Sequence, residues 1–355
     1  MSDEITIIGG GVIGLSVAWR LASAGFGSVR VVDPAPATGA SWVAGGMLAP
    51  VAESGPGEEG LLPLGLSSLA AWPSFAAELR KLGGDPGLCT EGTVVAALDG
   101  ADAAELDTLA THLAHLGREV QQLSGRELRA LEPSIGPSVR SGLMIPGDLA
   151  VDNRELLRSL QKAAHQCGVE FLAASARTVR PGAVELTDGS TVECSAAVIA
   201  AGAWSGRLHP ALAPLIRPVK GEILRLRARQ GALPPPTRTV RALVESRPVY
   251  LVPRTNGELV LGATQYEAGF DTEVTVRGVR DLLADAERVL PGLSEYALVE
   301  CAAGLRSGSH DNLPVIRWLE SGVLAATGHH RNGFLLAPIT ADTVLGLLGS
   351  RKGAT

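Results

Sequence analysis

Three glycines near the start of the chain have the spacing of a phosphate-binding turn. Gly9, Gly11 and Gly14 follow an apolar run at residues 5–8 and precede a stretch with helical periodicity. Gly9 permits a sharp turn, Gly11 lets the backbone approach a pyrophosphate, and Gly14 lets the helix pack on the strand. The free N–H groups and positive dipole end of the helix favour phosphate there. Asp33 lies about twenty residues on, where a carboxylate binds ribose hydroxyls, so this unit is predicted to bind a dinucleotide.

The residues after the second predicted strand favour FAD over NAD. Segment 39–50 consists mainly of small residues, which let the backbone come close to a bulky planar group. The chain has only one glycine fingerprint, so a separate nicotinamide site beside FAD is not expected. Taken alone, the same segment is also compatible with a flexible surface loop.

A second turn rich in small residues lies near the end of the chain. Residues 328–338 are typical of a strand-to-helix turn, and the block at 302–306 precedes them. Backbone N–H groups in this turn could stabilise negative charge at flavin N1 and O2 as the ring is reduced. The adjacent His329 and His330 are not expected to bind a metal, because neighbours in a turn usually point apart and no cysteine or carboxylate lies at ligand spacing.

The composition argues against several classes of protein. Of the 355 residues, 46% are hydrophobic and 19% are charged, as in a soluble globular protein. A net charge of −6 argues against a nucleic-acid partner, and apolar runs such as 196–204 are far shorter than the roughly 18 residues of a spanning helix. The first residues are acidic, unlike a secretory signal, and the four cysteines are scattered. We therefore expect a cytoplasmic protein with reduced thiols and no membrane contact.

Hydrophobic periodicity places strands and helices around these motifs. Strands are expected at 5–8, 29–32, 169–173, 184–187 and 196–201, with mainly alternating strands over 217–299. Helices are expected at 15–24, 64–82, 101–116, 124–131, 152–167 and 276–290, and a loop at 53–60.

This order of elements predicts an α/β fold (α+β overall), in which a Rossmann-like FAD-binding domain carries an inserted, mainly antiparallel β-sheet substrate domain. The FAD-binding domain is assigned residues 1–84, 145–208 and 300–355. The substrate-binding domain is assigned residues 85–144 and 209–299.

Six blocks of sequence occur in the order found in a known superfamily. They are residues 9–14, 44–50, 198–205, 249–254, 303–306 and 328–338. On these blocks the chain resembles the D-amino acid oxidase superfamily and, within it, the glycine oxidases of thiamine biosynthesis, over nearly its whole length. The resemblance implies FAD held non-covalently, because the linking cysteine of covalent sarcosine oxidases is not evident. It also implies a homo-oligomer, specifically a tetramer.

The resemblance assigns three residues to the substrate. Arg306 matches the arginine that grips the substrate carboxylate, which a guanidinium can do through two parallel hydrogen bonds. Tyr250 matches a tyrosine whose hydroxyl assists at the same carboxylate, and Arg331 matches an arginine at the mouth of the flavin-facing turn. The alternatives are surface ion pairs for the two arginines and a core strand position for the tyrosine.

The resemblance also implies a set of FAD-binding residues, spread from the first turn to the last. They are Gly9, Gly11, Val12, Ile13, Gly14, Asp33, Pro34, Ala40, Ser41, Gly45, Gly46, Met47, Arg177, Ala201, Gly202, Trp204, Gly304, His329, His330, Arg331, Asn332, Gly333, Phe334 and Leu335. Three positions depart from the family pattern, namely Pro248, Gln265 and Ser307. These departures bear on pocket size and side-chain preference more than on the chemistry.

The expected reaction is oxidative deamination of glycine. With the carboxylate held, hydride passes from Cα of the neutral amine to flavin N5, and no side-chain base is required. The imine is hydrolysed to glyoxylate and ammonia or used to form the thiazole ring of thiamine, while O2 accepts the electrons and gives H2O2. Three alternatives stay open: oxidation of sarcosine, D-proline or another small D-amino acid; electron transfer to a quinone or carrier protein; and a flavin-binding subunit without catalysis.

Overall fold

The computed structural model describes residues 4–53 and 60–352. In these residues the strands are β1 (Glu4–Ile8), β2 (Ser28–Val32), β3 (Met47–Leu48), β4 (Leu88–Cys89), β5 (Thr93–Ala97), β6 (Gln121–Ser124), β7 (Ser141–Ile145), β8 (Leu149–Val151), β9 (Glu170–Leu172), β10 (Ala176–Arg180), β11 (Ala183–Leu186), β12 (Thr191–Glu193), β13 (Ala196–Ile199), β14 (Arg217–Arg227), β15 (Thr239–Val244), β16 (Arg247–Pro253), β17 (Glu258–Gly262), β18 (Ala297–Gly308), β19 (Val315–Glu320) and β20 (Val323–Thr327). The helices are α1 (Val12–Ser23), α2 (Gly39–Val43), α3 (Leu61–Leu82), α4 (Gly100–His115), α5 (Gly125–Leu131), α6 (Asn153–Gln166), α7 (Ser205–Leu208), α8 (Val276–Val289) and α9 (Ala337–Lys352).

A six-stranded sheet forms the first half of the fold, with the order β19-β20-β13-β1-β2-β9. All of its pairings are parallel except that of β19 with β20. Apolar, β-branched runs suit such strands because both of their faces are buried. Ile7, Val31 and Val198 are accordingly fully buried. Helices α1, α6 and α9 pack with α3 over one face, and the small sheet β10-β11-β12 lies with α7 on the other.

The second large sheet has eight strands in the order β18-β14-β17-β16-β15-β5-β7-β6, and only the pair β15–β5 is parallel. Helix α8 covers this sheet with Leu282, Ala286 and Val289, which recur at helical spacing on its apolar side. The remaining strands, β3, β8 and β4, form a small sheet of their own. The predicted fold class is confirmed, including the mainly antiparallel second sheet.

Several element boundaries differ from the sequence predictions. Helix α1 begins at Val12 rather than at residue 15, since the N–H of Leu15 already donates to the carbonyl oxygen of Gly11 at 2.9 Å. The N–H of Val12 donates to the Ser41 hydroxyl, 3.0 Å away. Segment 39–50 contains the short helix α2 and strand β3 rather than a loop alone. Residues 54–59 of the predicted loop at 53–60 lie outside the described residues.

The predicted division into domains stays a prediction, but two strands of the eight-stranded sheet cross its boundaries. Strand β7 ends at Ile145, one residue inside the segment assigned to the FAD-binding domain, and β18 is the second. Strand β18 pairs with β14 in the eight-stranded sheet, whereas residues from 300 onwards were assigned to the FAD-binding domain. Residues 300–308 therefore belong to the second sheet by hydrogen bonding.

In the described part of the chain, no helix is both long and apolar enough to cross a bilayer.

The longest helix, α3, fixes the turn that precedes α9. The hydroxyl of Ser68 and the indole N–H of Trp72 both donate to the carbonyl of Leu335, at 2.6 and 3.0 Å. Both side chains are fully buried, so these hydrogen bonds satisfy groups that water does not reach. The turn at residues 328–335 is thereby held from behind by α3.

A buried acid in the turn between β7 and β8 predicts a pH effect on stability. The Asp148 carboxylate accepts hydrogen bonds from the N–H groups of Val51 (3.3 Å) and Ala52 (3.1 Å). Burial nevertheless raises its pKa from 3.8 to about 7. Since this folded-state pKa lies above the unfolded value, the folded protein holds the extra proton between the two, and the free energy of unfolding falls as pH rises through this window.

We expect this loss to be on the order of 4 kcal/mol between pH 4 and 8, at about 1.4 kcal/mol per pKa unit. Urea unfolding of the wild type and Asp148→Asn across this range would measure it. The asparagine variant should show a shallower pH dependence, because it lacks the titrating group. Equal slopes in the two proteins would contradict the assignment.

Candidate active site

A cavity of about 590 Å³ lies between the two large sheets. One wall is formed at the carboxyl ends of β1, β2, β13 and β20, by residues such as Ile8, Val32 and Ala200. This edge of a parallel sheet is where α/β proteins place ligands. The other wall comes from β14, β16 and β18 of the eight-stranded sheet. Both halves of the fold therefore contribute to one site.

The glycine turn lines the first wall with bare backbone. Gly9 has φ +110°, and a Cβ there would lie 2.4 Å from the carbonyl oxygen of Ala200. A Cβ on Gly14 would lie 1.8 Å from the carbonyl oxygen of Gly9, so helix and strand touch without an intervening side chain. Gly11 lines the cavity at the start of α1 and leaves the N-terminus of the helix open to a ligand.

Asp33 lies at the end of β2 and faces the same cavity. One carboxylate oxygen accepts the N–H of Gly10 and the other accepts the N–H of Ala35, both at 2.7 Å. These bonds fix the carboxylate, and its remaining lone pairs can accept hydrogen bonds from hydroxyl groups. The geometry suits a ribose.

The small-residue segment 39–47 forms the next part of the wall. Gly46 has φ +78°, and a Cβ there would lie 2.1 Å from the carbonyl oxygen of Val151. A side chain is therefore excluded at this position both by conformation and by space. The predicted FAD-binding residues Ala40, Ser41, Gly45, Gly46 and Met47 all line the cavity.

The turn at residues 328–335 carries two histidines that stay neutral at physiological pH. His329 is buried against Thr340, with 3.0 Å between Nε2 and Oγ1, and burial lowers its pKa to about 3. Burial lowers the pKa of His330 to about 4, and the nearby charges of Arg306 and Arg331 act in the same direction. Positive charge at this side of the cavity therefore comes from arginine.

No cluster of three or more potential metal-ligating side chains occurs among residues 4–53 and 60–352.

Arg306 and Tyr250 approach each other across the eight-stranded sheet. Arg306 lies on β18 and Tyr250 on β16, with β14 and β17 between those strands. A Cβ on Gly221 of β14 would lie 2.3 Å from the guanidinium of Arg306, and one on Gly262 of β17 would lie 2.4 Å from the hydroxyl of Tyr250. The two side chains thus extend over glycines, which leave room for them.

The environment of this pair favours a bound anion. Nη1 of Arg306 donates long hydrogen bonds to the carbonyl oxygens of Lys220 (3.4 Å) and Thr264 (3.3 Å), while the residue lines the cavity. Burial lowers the pKa of Arg306, and the nearby Tyr250 and Glu53 counteract this. Burial raises the pKa of Tyr250, so its hydroxyl keeps its proton and can donate it in a hydrogen bond.

Glu53 and Arg241 join Arg331 in a charged group that the sequence did not reveal. Nη2 of Arg331 donates to the carbonyl oxygen of Glu53 at 3.0 Å, and the Glu53 carboxylate lies 3.6 Å from both arginines. Arg241 also donates to the carbonyl oxygen of Ala52 at 2.6 Å. Glu53 lies at the edge of a predicted loop and Arg241 in the middle of a strand, so neither carries a local motif.

The FAD dependent oxidoreductase family, abbreviated DAO, matches residues 4–346 of this sequence. The chain belongs to this family. The predicted superfamily is therefore confirmed, and so is FAD as the cofactor.

Relatives of known name match over the full length of the chain. The glycine oxidase of Geobacillus kaustophilus is 33% identical over 361 residues, which cover 99% of this chain and 94% of that protein. The bifunctional protein ThiO/ThiG of Synechocystis sp. is 33% identical over 99% of this chain but only 52% of its own length. The solved structure of the Geobacillus kaustophilus glycine oxidase has a TM-score of 0.88 and covers 98% of this chain and 95% of its own.

The cavity fits the FAD of this family. It is bounded by backbone at Gly9, Gly11 and Gly46, where a planar or phosphate group can come close. The carboxylate of Asp33, predicted to bind the ribose, lines the same cavity. None of the four cysteines is among the described lining residues.

Four of the predicted cofactor residues do not line the cavity. They are Gly14, Arg177, Asn332 and Leu335. Arg177 is exposed and pairs with Glu185, while the preceding Ser175 and Ala176 face the cavity instead. The cavity is also lined by residues that were not predicted from the sequence, including Thr38, Glu53, Ser175, Ala176, Gly221, Ile223, Arg241, Val249, Ala263 and Thr327.

We expect Gly9→Ala to weaken FAD binding at least about tenfold, because the new methyl group would collide with the Ala200 carbonyl at a positive φ. Titrating apoprotein with FAD and following flavin fluorescence would measure the affinity. Gly346→Ala, in α9 with nothing within 4 Å of the added methyl, is the matched control. Equal FAD affinity in both variants would refute the close approach at Gly9.

Proposed function

We propose that this chain is a glycine oxidase, which converts glycine, O2 and H2O into glyoxylate, NH3 and H2O2. The observation that carries the proposal is the arrangement of Arg306 and Tyr250 over Gly221 and Gly262, inside the cavity that takes FAD. A guanidinium and a phenol on one wall provide donors for a single carboxylate. The full-length relatives named glycine oxidase support the same substrate.

The chain contributes binding and orientation. Arg306 holds the substrate carboxylate with N–H groups that its carbonyl partners leave available, and the hydroxyl of Tyr250 donates to the same carboxylate. Because the substrate is held by its carboxylate, the position of its Cα in the cavity is fixed. Substrate binding therefore also aligns the carbon that reacts. Bound FAD supplies the two-electron oxidant.

The groups beside Arg306 and Tyr250 are poor bases, and the nearby carboxylate of Glu53 is paired with Arg241 and Arg331. His329 and His330 have pKa values of about 3 and 4, so they are poor proton acceptors near neutral pH. Arg306 and Arg331 are cations, and Tyr250 holds its proton. The amine of glycine therefore reacts in its neutral form, having lost its proton to solvent on binding.

The wider setting follows from the family. We propose that the imine product supplies the thiazole ring of thiamine, supported by the similarity to a protein named ThiO/ThiG. A cytoplasmic homotetramer, the arrangement implied by the family resemblance, completes the proposal. Sedimentation of the purified protein would measure its mass.

Anaerobic addition of glycine to the purified flavoprotein is the experiment that tests the substrate. Glycine should bleach the flavin absorbance, and admitting air should restore it with formation of H2O2. Reduction by sarcosine, D-proline or a small D-amino acid but not by glycine would overturn the choice of substrate. Recolouring by a quinone but not by O2 would overturn the choice of acceptor, and lack of reduction by any of these amines would indicate a non-catalytic flavin subunit.

We expect Arg306→Ala to lower kcat/KM for glycine at least about a hundredfold while FAD stays bound, because charge-assisted hydrogen bonds to the carboxylate are lost. Gly221→Ala should have a similar effect without removing the guanidinium, because its methyl group would occupy the guanidinium's position. Steady-state peroxide assays would measure both, with Gly346→Ala as control. Wild-type kcat/KM in Gly221→Ala would contradict the role given to this glycine.

A further inference from the structure

A buried polar network lies behind the segment that lines the cavity at residues 41–46. Its members are Asn153 at the start of α6, Arg225 on β14 and Arg254 just after β16. None of the three is among the described lining residues, whereas residues 43–46 are. The network therefore touches the opposite side of this backbone from the cavity.

Asn153 is the centre of the network and uses all of its side-chain hydrogen-bonding directions there. Its Oδ1 accepts one bond from Arg225 and one from Arg254, each at 3.0 Å. Its Nδ2 donates to the carbonyl oxygens of Ser41 (2.9 Å) and Trp42 (2.8 Å). The two arginines and the backbone of α2 are thus joined through one fully buried amide.

Arg254 extends the same contact to the glycine pair. Its Nη2 donates to the carbonyl oxygen of Gly45 at 2.8 Å. In a planar trans peptide the C=O and N–H groups point in opposite directions, so the N–H of Gly46 points away from Arg254. No hydrogen bond among the described residues uses this N–H, and Gly46 lines the cavity. The network thereby leaves a backbone donor facing the cavity.

The network also carries an excess positive charge. Arg254 lies 3.4 Å from the carboxylate of Asp152, and the neighbouring Arg154 pairs with Glu300 at 2.8 Å. Arg225 has no carboxylate within 4 Å in the described part of the chain, is only 2% exposed, and leaves its Nε without a partner. Burial lowers the pKa of Arg225 to about 10, which still leaves it charged at neutral pH. A charge buried in this way is weakly screened by salt and water.

We infer that Asn153, Arg225 and Arg254 are positioning residues for the flavin: they aim the Gly46 N–H into the cavity and supply a fixed positive charge behind it. A donor and a charge that are already oriented stabilise the negative charge that the ring gains on reduction, without reorganisation at that moment. The inference rests on FAD binding and is independent of whether glycine is the substrate.

Sulfite is the probe that tests the charge, because it adds to flavin N5 and places negative charge on the ring. We expect Arg225→Gln to weaken sulfite binding at least tenfold. The two-electron midpoint potential of the flavin should fall in parallel, by about 30 mV for each tenfold loss of sulfite affinity. Arg225→Lys keeps the charge and should stay within threefold of the wild type. Arg247→Gln is the control, since Arg247 is exposed and pairs with Asp285 away from this segment.

Arg254→Lys tests the positioning separately. Lysine keeps the charge but cannot bridge the Gly45 carbonyl and Asn153 as the guanidinium fork does, so FAD affinity should fall at least fivefold. Wild-type sulfite affinity in a folded, FAD-loaded Arg225→Gln would overturn the electrostatic role. Wild-type FAD affinity in Arg254→Lys would overturn the positioning role. If Arg225→Gln does not fold, Arg225→Met replaces it, because methionine removes the charge but suits a buried position, and wild-type sulfite affinity in that variant would overturn the electrostatic role. Neither readout uses glycine, so a wrong substrate would leave both unchanged.

Discussion

Arg306 and Tyr250 extend toward each other over two intervening strands, and they can do so because Gly221 and Gly262 carry no side chain. The same exclusion operates on the opposite wall, where Gly9 and Gly46 lie against carbonyl oxygens at distances that no Cβ tolerates. Close packing leaves a folded interior few voids. A cavity of this size therefore depends on positions where the backbone itself forms the surface.

The charged side chains around the cavity add an electrostatic preference to its shape. Among the charged lining residues, Arg306, Arg241 and Arg331 outnumber the carboxylates of Glu53 and Asp33. The two histidines of the last turn are kept neutral by burial. The site is thus biased toward an anion. A fixed field of this kind suits a reaction in which the cofactor gains negative charge.

Local chemistry explains which parts of the site could be predicted from the sequence. The turn at Gly9 to Gly14 can be recognised from the sequence, because its strand, glycines and helix follow one another along the chain. Arg225 and Asn153 lie 72 positions apart in the sequence and come into contact only in the folded protein. No local sequence pattern therefore predicts their contact. Arg177 lies in a part of the site where the sequence points less sharply, because its side chain pairs with Glu185 while Ser175 and Ala176 line the cavity.

The arrangement of the two sheets links cofactor binding to folding. Strand β18 brings Arg306 into the eight-stranded sheet and is followed directly by β19 and β20 of the six-stranded sheet, so the last part of the chain belongs to both halves. FAD bound in the cavity between them would adjoin both halves of the fold. A ligand that binds only the folded arrangement stabilises it by mass action. The cofactor is then a structural partner of the two sheets as well as the oxidant.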